Sequence, residues 1–310
     1  MKVLEIEHRT RYRYAAPVQL GTHRLMIRPR DSHDLRLLDA TLTLRPGGLV
    51  HWVHDVFGNS ITVVEFDTET TELEIESWLK LERYPFARIE ALLGPNAAQY
   101  PFIYTSDERI DLGRLTERHY PDNGAVRDWL APIVGLLPTP TLDLVGRLNA
   151  AVRTLPYSER YEEGTRTPAE TIAYGGTCRD FALLFIEAAR ELGIGARFVT
   201  GYLYDPKLDQ KGDLGMQGSA ATHAWAEIYL PGTGWVEYDP TNNLLGSEHL
   251  VRVAAVRDPR QAAPISGSFA GPPGAFLGMD IEVTVRAIEP DDAVSPPPPT
   301  ADAPVLAPAG

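Results

Sequence analysis

Over the first 85 residues, polar and apolar side chains alternate with a period of two. Leu4, Ile6, His8, Thr10, Tyr12 and Tyr14 alternate with Glu5, Glu7, Arg9, Arg11 and Arg13. Only an extended chain puts every second residue on one face. Leu38, Ala40, Leu42 and Leu44 repeat the pattern. So do Leu73, Ile75, Leu79 and Leu81, set between Glu72, Glu74, Glu76, Lys80 and Glu82. Segments 50–56 and 61–66 flank a Gly58-Asn59 turn and read as a hairpin. Short strands separated by turn signals predict an antiparallel β-sandwich over residues 1–85.

The pattern then changes. Residues 86–122 are rich in Pro and Tyr with little periodicity, and read as a connection that packs on either neighbour. Thr139-Pro140 reads as an N-cap followed by proline at the first helical position, with Leu142, Val145, Leu148, Val152 and Leu155 on one helix face. A second helix runs to Leu192, with Phe181, Phe185, Ala188 and Leu192 on the stripe of Cys178, and Arg179, Glu187 and Arg190 off it. Gly193 is placed to end it as C′. Strand signals follow at 197–204, 223–230, 235–239 and 281–288. The expected class is α+β: a β-rich domain over 1–85, the connection 86–122, and a core over 123–289 with a helix packed on an antiparallel sheet. The Pro/Ala-rich tail 290–310 cannot build a core and reads as disordered.

Charge and cysteine content narrow the function classes. A net charge of −13 over 310 residues argues against a nucleic-acid partner. One cysteine cannot close an intramolecular disulfide, so nothing requires an oxidising compartment. The N-terminal residues lack an apolar signal region, and no stretch approaches the ~18 apolar residues of a membrane span. The expectation is a cytoplasmic protein with no membrane partner.

That one cysteine, Cys178, follows Gly175-Gly176-Thr177 and begins the second helix, with Thr177 as N-cap and Asp180 at the capping-box position. Unpaired N–H groups and the positive dipole end there favour a thiolate and supply an oxyanion donor. A lone cysteine is more often a small buried hydrophobe. Two further residues argue for chemistry: His223 in THAWAEIYL and Asp239 in GWVEYDPT. If Pro231-Gly232-Thr233 joins these strands and Leu230 pairs with Gly234, then Trp225 faces Asp239 and His223 faces Thr241. His223 and Asp239 become same-face diagonal neighbours roughly 7–8 Å apart at the backbone. A slip of one residue would separate them. Alone, His223 is most simply a packed core histidine and Asp239 a turn residue before Pro240; the ordered set is harder to explain by packing.

The segments GGTCRDFALLFIEAARELGIGARFVTGYL, THAWAEIYL and GWVEYDPTNN resemble the transglutaminase-like superfamily of papain-fold thiol enzymes. Residues 1 to about 85 resemble the N-terminal domain of its bacterial branch, and the stretch from His249 through the Ile281 strand resembles that branch's C-terminal part. The resemblance implies Cys178 as nucleophile, His223 as base and Asp239 as the group orienting it. It implies attack on a peptide or protein amide and a thioester acyl-enzyme, resolved by water or by an amine. Animal transglutaminases carry tryptophan after the nucleophile, where Arg179 stands here, and no acidic cluster has calcium-loop spacing. These departures favour hydrolysis, as amidase or peptidase, over crosslinking, with no cofactor and no metal. The alternatives are a true protein-glutamine transamidase, an arylamine-type acetyltransferase, and a non-catalytic binding module of the same fold.

Two other features carry less. His51 and His54, three apart on a strand, point to opposite faces and do not make a metal site. The Gly-rich stretch 205–219 reads equally as a lid beside the site or as a surface insertion.

Overall fold

The computed structural model describes residues 1–84, 92–158, 164–207, 222–246 and 249–289. Most of the 205–219 stretch and the tail from 290 lie outside them. The chain is an α+β fold, a strand-rich N-terminal part followed by a helix-and-sheet core. The N-terminal strands are β1 (Lys2–Leu20), β2 (His23–Leu25), β3 (Leu35–Arg45), β4 (Leu49–His54), β5 (Ser60–Glu65) and β6 (Glu69–Arg83). Two-residue strands β7 (Gln99–Tyr100) and β8 (Thr139–Pro140) pair with each other. Helices α1 (Ser106–Leu112), α2 (Ala125–Val134), α3 (Thr141–Arg153), α4 (Pro168–Tyr174) and α5 (Cys178–Glu191) precede the core sheet. That sheet holds β9 (Ala196–Leu203), β10 (His223–Leu230), β11 (Gly234–Asp239), β12 (Leu244–Leu245) and β13 (Leu250–Val256), in the order β12-β11-β10-β9-β13. Last come β14 (Ile265–Ser266), β15 (Phe269–Ala270) and β16 (Phe276–Ile288).

The alternation in the sequence does become a sandwich. β1 pairs with β6, and β6 with β3; a second sheet runs β14-β2-β5-β4. Tyr14, Val18, Leu25, Val64, Leu73 and Ile75 pack between the two sheets, while Arg9 and Arg11 reach Glu76 and Glu74 on the outer face. The run expected at Leu38 breaks phase. A bulge between Leu37 and Asp39 leaves Leu38 outward, so that Leu37 as well as Ala40, Leu42 and Leu44 turn inward. The late strand, expected inside the core, belongs elsewhere: β16 pairs along β1 from Val3↔Ile288 to Tyr14↔Phe276 and extends the N-terminal sheet. Periodicity identifies a strand but not its partner.

Several helical details also differ from expectation. Thr139 and Pro140 are strand residues, and α3 starts one residue later without a side-chain cap. The helices α1 and α4 carry capping boxes, Thr105 with Glu108 and Thr167 with Glu170, whose Thr-x-x-Glu spacing is visible in the sequence although seven residues are too few for apolar periodicity to mark a helix. Arg190 and Glu187 lie off the apolar stripe of α5 yet are buried. The stretch just before α2 wraps the helix: Glu187 accepts from the backbone N–H of His119 (3.0 Å) and Tyr120 (3.1 Å), and pairs with Arg190 (2.9 Å). The connection therefore packs on the core.

Sandwich and core meet through buried polar groups. His8 Nδ1 lies 3.0 Å from the Tyr202 hydroxyl, which donates to the Ile27 carbonyl at 3.2 Å; burial drives the His8 pKa down to about 4, keeping the ring neutral. The Asn59 amide donates to Ala255 O and accepts from Ala255 N, both at 2.9 Å, so the hairpin turn imitates a strand neighbour of β13. Arg83 pairs with Asp34, donates to Leu250 O (2.8 Å) and lies 3.5 Å from Glu237. Glu227 is fully buried between Arg197 and Arg252.

Burial, and then the charge of Glu227, push Glu237 up to about 7. An acid whose folded pKa is raised stabilises the fold below its unfolded value near 4.5, and that contribution is lost as pH rises through about 7. Urea titrations should therefore show Glu237→Gln gaining stability relative to wild type between those pH values; a pH-independent difference would contradict this. Arg83→Leu removes the buried cation that pairs with Asp34 and lies beside Glu237, and should cost about 3–5 kcal/mol in the same assay.

Candidate active site

Cys178 is the first residue of α5 and is 8% exposed. The loop before it is held from two sides. Gly175 has φ +69°, and a Cβ there would lie 1.8 Å from Pro156 O, so glycine is required for the close approach. Asp180 Oδ2 accepts from the backbone N–H and the hydroxyl of Thr177 (2.8 and 3.0 Å), while its Oδ1 accepts from Arg166 N at 2.6 Å. These bonds fix where the helix starts, and so where the thiol sits.

The sheet under the helix is built for close contact. Ala224, Ala226, Ile228 and Leu230 alternate toward α5, and Tyr238 stacks on Phe185 with ring centroids 5.4 Å apart. β10 and β11 pair from Leu230↔Gly234 to Ala226↔Tyr238, the register that brings His223 and Asp239 to one face. His223, the first residue of β10, donates from Nε2 to Asp239 Oδ2 at 2.9 Å; both side chains are fully buried. Asp239 also accepts from Thr241 N (2.9 Å), Asn242 N (3.3 Å) and Asn242 Nδ2 (2.8 Å). Trp225 lies near-parallel to the His223 ring at 6.1 Å.

The electrostatics follow from these contacts. Burial opposes a charged His223, but the Asp239 charge and hydrogen bond, with Cys178 adding to them, raise its pKa to about 10. Among the described residues His223 Nδ1 has no hydrogen-bond partner, and Cys178 is the further group whose interaction raises the ring's pKa. Burial pushes Asp239 upward, yet His223 and the donors from Thr241 and Asn242 hold it below the ordinary carboxylate range. Both shifts favour the imidazolium–carboxylate form of the pair, and Nδ1 is the ring nitrogen that Asp239 leaves open.

All three residues singled out in the sequence thus converge. Two others of the site gave no such signal. Asn242 binds Asp239 from the turn after Pro240. Arg179 donates to Pro259 O (2.8 Å) and packs over Phe198 (4.9 Å), a cation beside the thiol that makes no carboxylate ion pair among the described residues. The Arg179 contacts join segments distant in sequence, whereas Asn242 lies only three residues from Asp239. His51 and His54 lie on β4, away from this site, and among the described residues no three metal-ligating side chains cluster. No helix among the described residues is long and apolar enough to cross a membrane.

Two family patterns match the chain: the bacterial transglutaminase-like N-terminal region over residues 4–82, and the transglutaminase-like superfamily core over residues 127–240. The chain belongs to the transglutaminase-like superfamily. Similar proteins include an uncharacterized protein of Mycobacterium leprae, 24% identical over 91% of this chain and 98% of that one. Another, from Mycobacterium tuberculosis, is 28% identical over 84% of this chain and 86% of its own. Among solved structures, a candidate cysteine protease from Cytophaga hutchinsonii superposes with a TM-score of 0.69 at 19% identity, covering 94% of this chain and 92% of that one. That likeness establishes a shared fold.

The His223 shift is directly measurable. In ¹⁵N-histidine NMR, the His223 ring should stay protonated through neutral pH and titrate near 10. Asp239→Asn should bring that midpoint down; a wild-type midpoint near 6.5 would refute the assignment.

Proposed function

We propose that the protein is a cysteine-dependent acyl-transfer enzyme acting on peptide or protein amides, with water as the usual acceptor. One observation carries the reading: a buried imidazole bonded through Nε2 to Asp239 has its Nδ1 left for the one thiol of the chain, at a helix N-terminus. Packing alone gives no reason to bury an imidazolium–carboxylate pair beside a thiol.

In this reading Cys178 Sγ attacks the amide carbonyl carbon as the thiolate of a thiolate–imidazolium pair. The carbonyl π electrons move onto oxygen, which accepts from the backbone N–H of Cys178. Collapse of the tetrahedral intermediate breaks the C–N bond, and His223 gives its proton to the departing amine. The thioester then loses its acyl group to water, with His223 taking a water proton, and Cys178 is regenerated. Asp239 acts through His223 by fixing its tautomer and stabilising its cation. Arg179 stands where animal transglutaminases carry tryptophan, and that departure supports water over a protein amine as acceptor.

Iodoacetamide should alkylate Cys178 readily at pH 6, and His223→Ala should slow that reaction by about 10²-fold or more. With a glutamine or peptide-amide substrate, Cys178→Ala should cut kcat/KM by about 10⁴-fold or more, and intact-mass spectrometry should trap an acyl adduct on wild type only. Acid product in the presence of a primary amine supports hydrolysis; amine adducts would make the protein a transamidase. A thiol inert to alkylation across pH 5–9 would refute the enzyme reading and leave a binding module.

A further inference from the structure

β16 forms one edge of the five-stranded sheet: it pairs with β1, and no strand among the described residues pairs with its other side. The strand is thirteen residues long and, within Phe276–Ile288, has no proline or lysine. Those are among the features that ordinarily keep an edge from pairing with another chain. The opposite edge of the same sheet, β3, is interrupted by its bulge at Leu38. β16 is instead regular from Gly278 to Ile288. Val283 and Val285 face the core, but Met279 and Ile281, on the same side of the strand, are each 45% exposed.

We infer that the occupant of this edge is a second copy of the chain, bound through antiparallel pairing of β16 with its own symmetry mate. The edge is self-complementary. A two-fold axis at Val283 sets Asp280 opposite Arg286 of the second copy, and Arg286 opposite its Asp280. Within one chain, Asp280 already faces Arg11, which faces Glu74; Arg286 faces Glu5, which faces Lys80. The dimer joins these rows into one that alternates in sign across six strands: Glu74, Arg11, Asp280, then Arg286, Glu5 and Lys80 of the second copy. Opposite charges directly across neighbouring strands stabilise pairing, and like charges oppose it. On the inner face the same register sets Ile281 against Val285 and Met279 against Ala287. An axis at Glu282 would set Glu282 against itself. An axis at Thr284 also makes charge pairs, between Glu282 and Arg286, but leaves Met279 beyond the paired strand. The Val283 axis alone among these satisfies both the charges and the apolar residues.

The interface is isologous, and it joins the two five-stranded sheets into one. It uses the face of the molecule that carries β1 and β16, and does not depend on the proposed chemistry at Cys178.

Sedimentation velocity on the full chain at up to roughly 100 μM, a range that captures transient specific dimers, should give twice the 34.2 kDa chain mass. Asp280→Arg alone and Arg286→Asp alone each oppose like charges and should weaken dimerisation by about tenfold or more. Mixed together, the two variants should form a heterodimer, because each supplies the charge the other lacks. Circular dichroism melting checks that both remain folded; these exposed positions leave the core untouched. A monomeric wild type over that range, or a dimer indifferent to both substitutions, would overturn the inference. So would two variants that fail to recover dimer on mixing while remaining folded.

Discussion

The pairing of β10 with β11 is the constraint on which the site depends. Because side chains alternate along a strand, the register that sets Leu230 against Gly234 also decides which face His223 and Asp239 occupy. One step of slippage would put the histidine and the carboxylate on opposite faces. It would also turn the face that now packs α5, with Ala224, Ala226 and Tyr238, away from the helix. A single pairing thus satisfies both faces: apolar packing against the helix on one, and charged groups on the other. The tight Pro231–Thr233 connection limits the alternatives, and the burial of both faces removes them.

The charged face is where sandwich and core join. Glu227, Glu237, Arg83, Asp34 and Arg252 are held together behind the strands that carry His223 and Asp239. Glu237 is two residues from Asp239 on the same strand, so the carboxylate that bonds to His223 sits on a backbone fixed by contacts with the N-terminal part. The N-terminal sandwich therefore supports the geometry of a site to which it contributes no reacting group. The Asn59 pairing with Ala255 and the His8–Tyr202 bond fasten the same joint at two further points.

Much of this was legible in residue order. Cys178 at a helix start, with its Thr177 and Asp180 cap, is a local pattern, and so is the alternation that places His223 and Asp239 together once a hairpin is assumed. The sandwich strands were legible for the same reason. The less visible features are non-local. Nothing in the sequence of β16 says that its partner is β1, some 280 residues away, and nothing near His119 and Tyr120 says that their backbone N–H groups bind Glu187. The bulge at Leu38 shows a related limit: one extra residue reverses the inward face without changing the composition of the run.

Sequence alone indicated most of the strands, the main helices, the residues with chemical potential and, once the hairpin is assumed, its register, because each follows from local backbone periodicity and turn length. Tertiary structure decided the charge state of the site. Burial removes water from His223 and Asp239, so their mutual charge, rather than the solvent, sets the protonation of the imidazole. It also decided the company of Arg179, whose contacts to Pro259 and Phe198 are with segments brought near only by folding. Distance along the chain carries no information about distance in space, so these features waited for the fold.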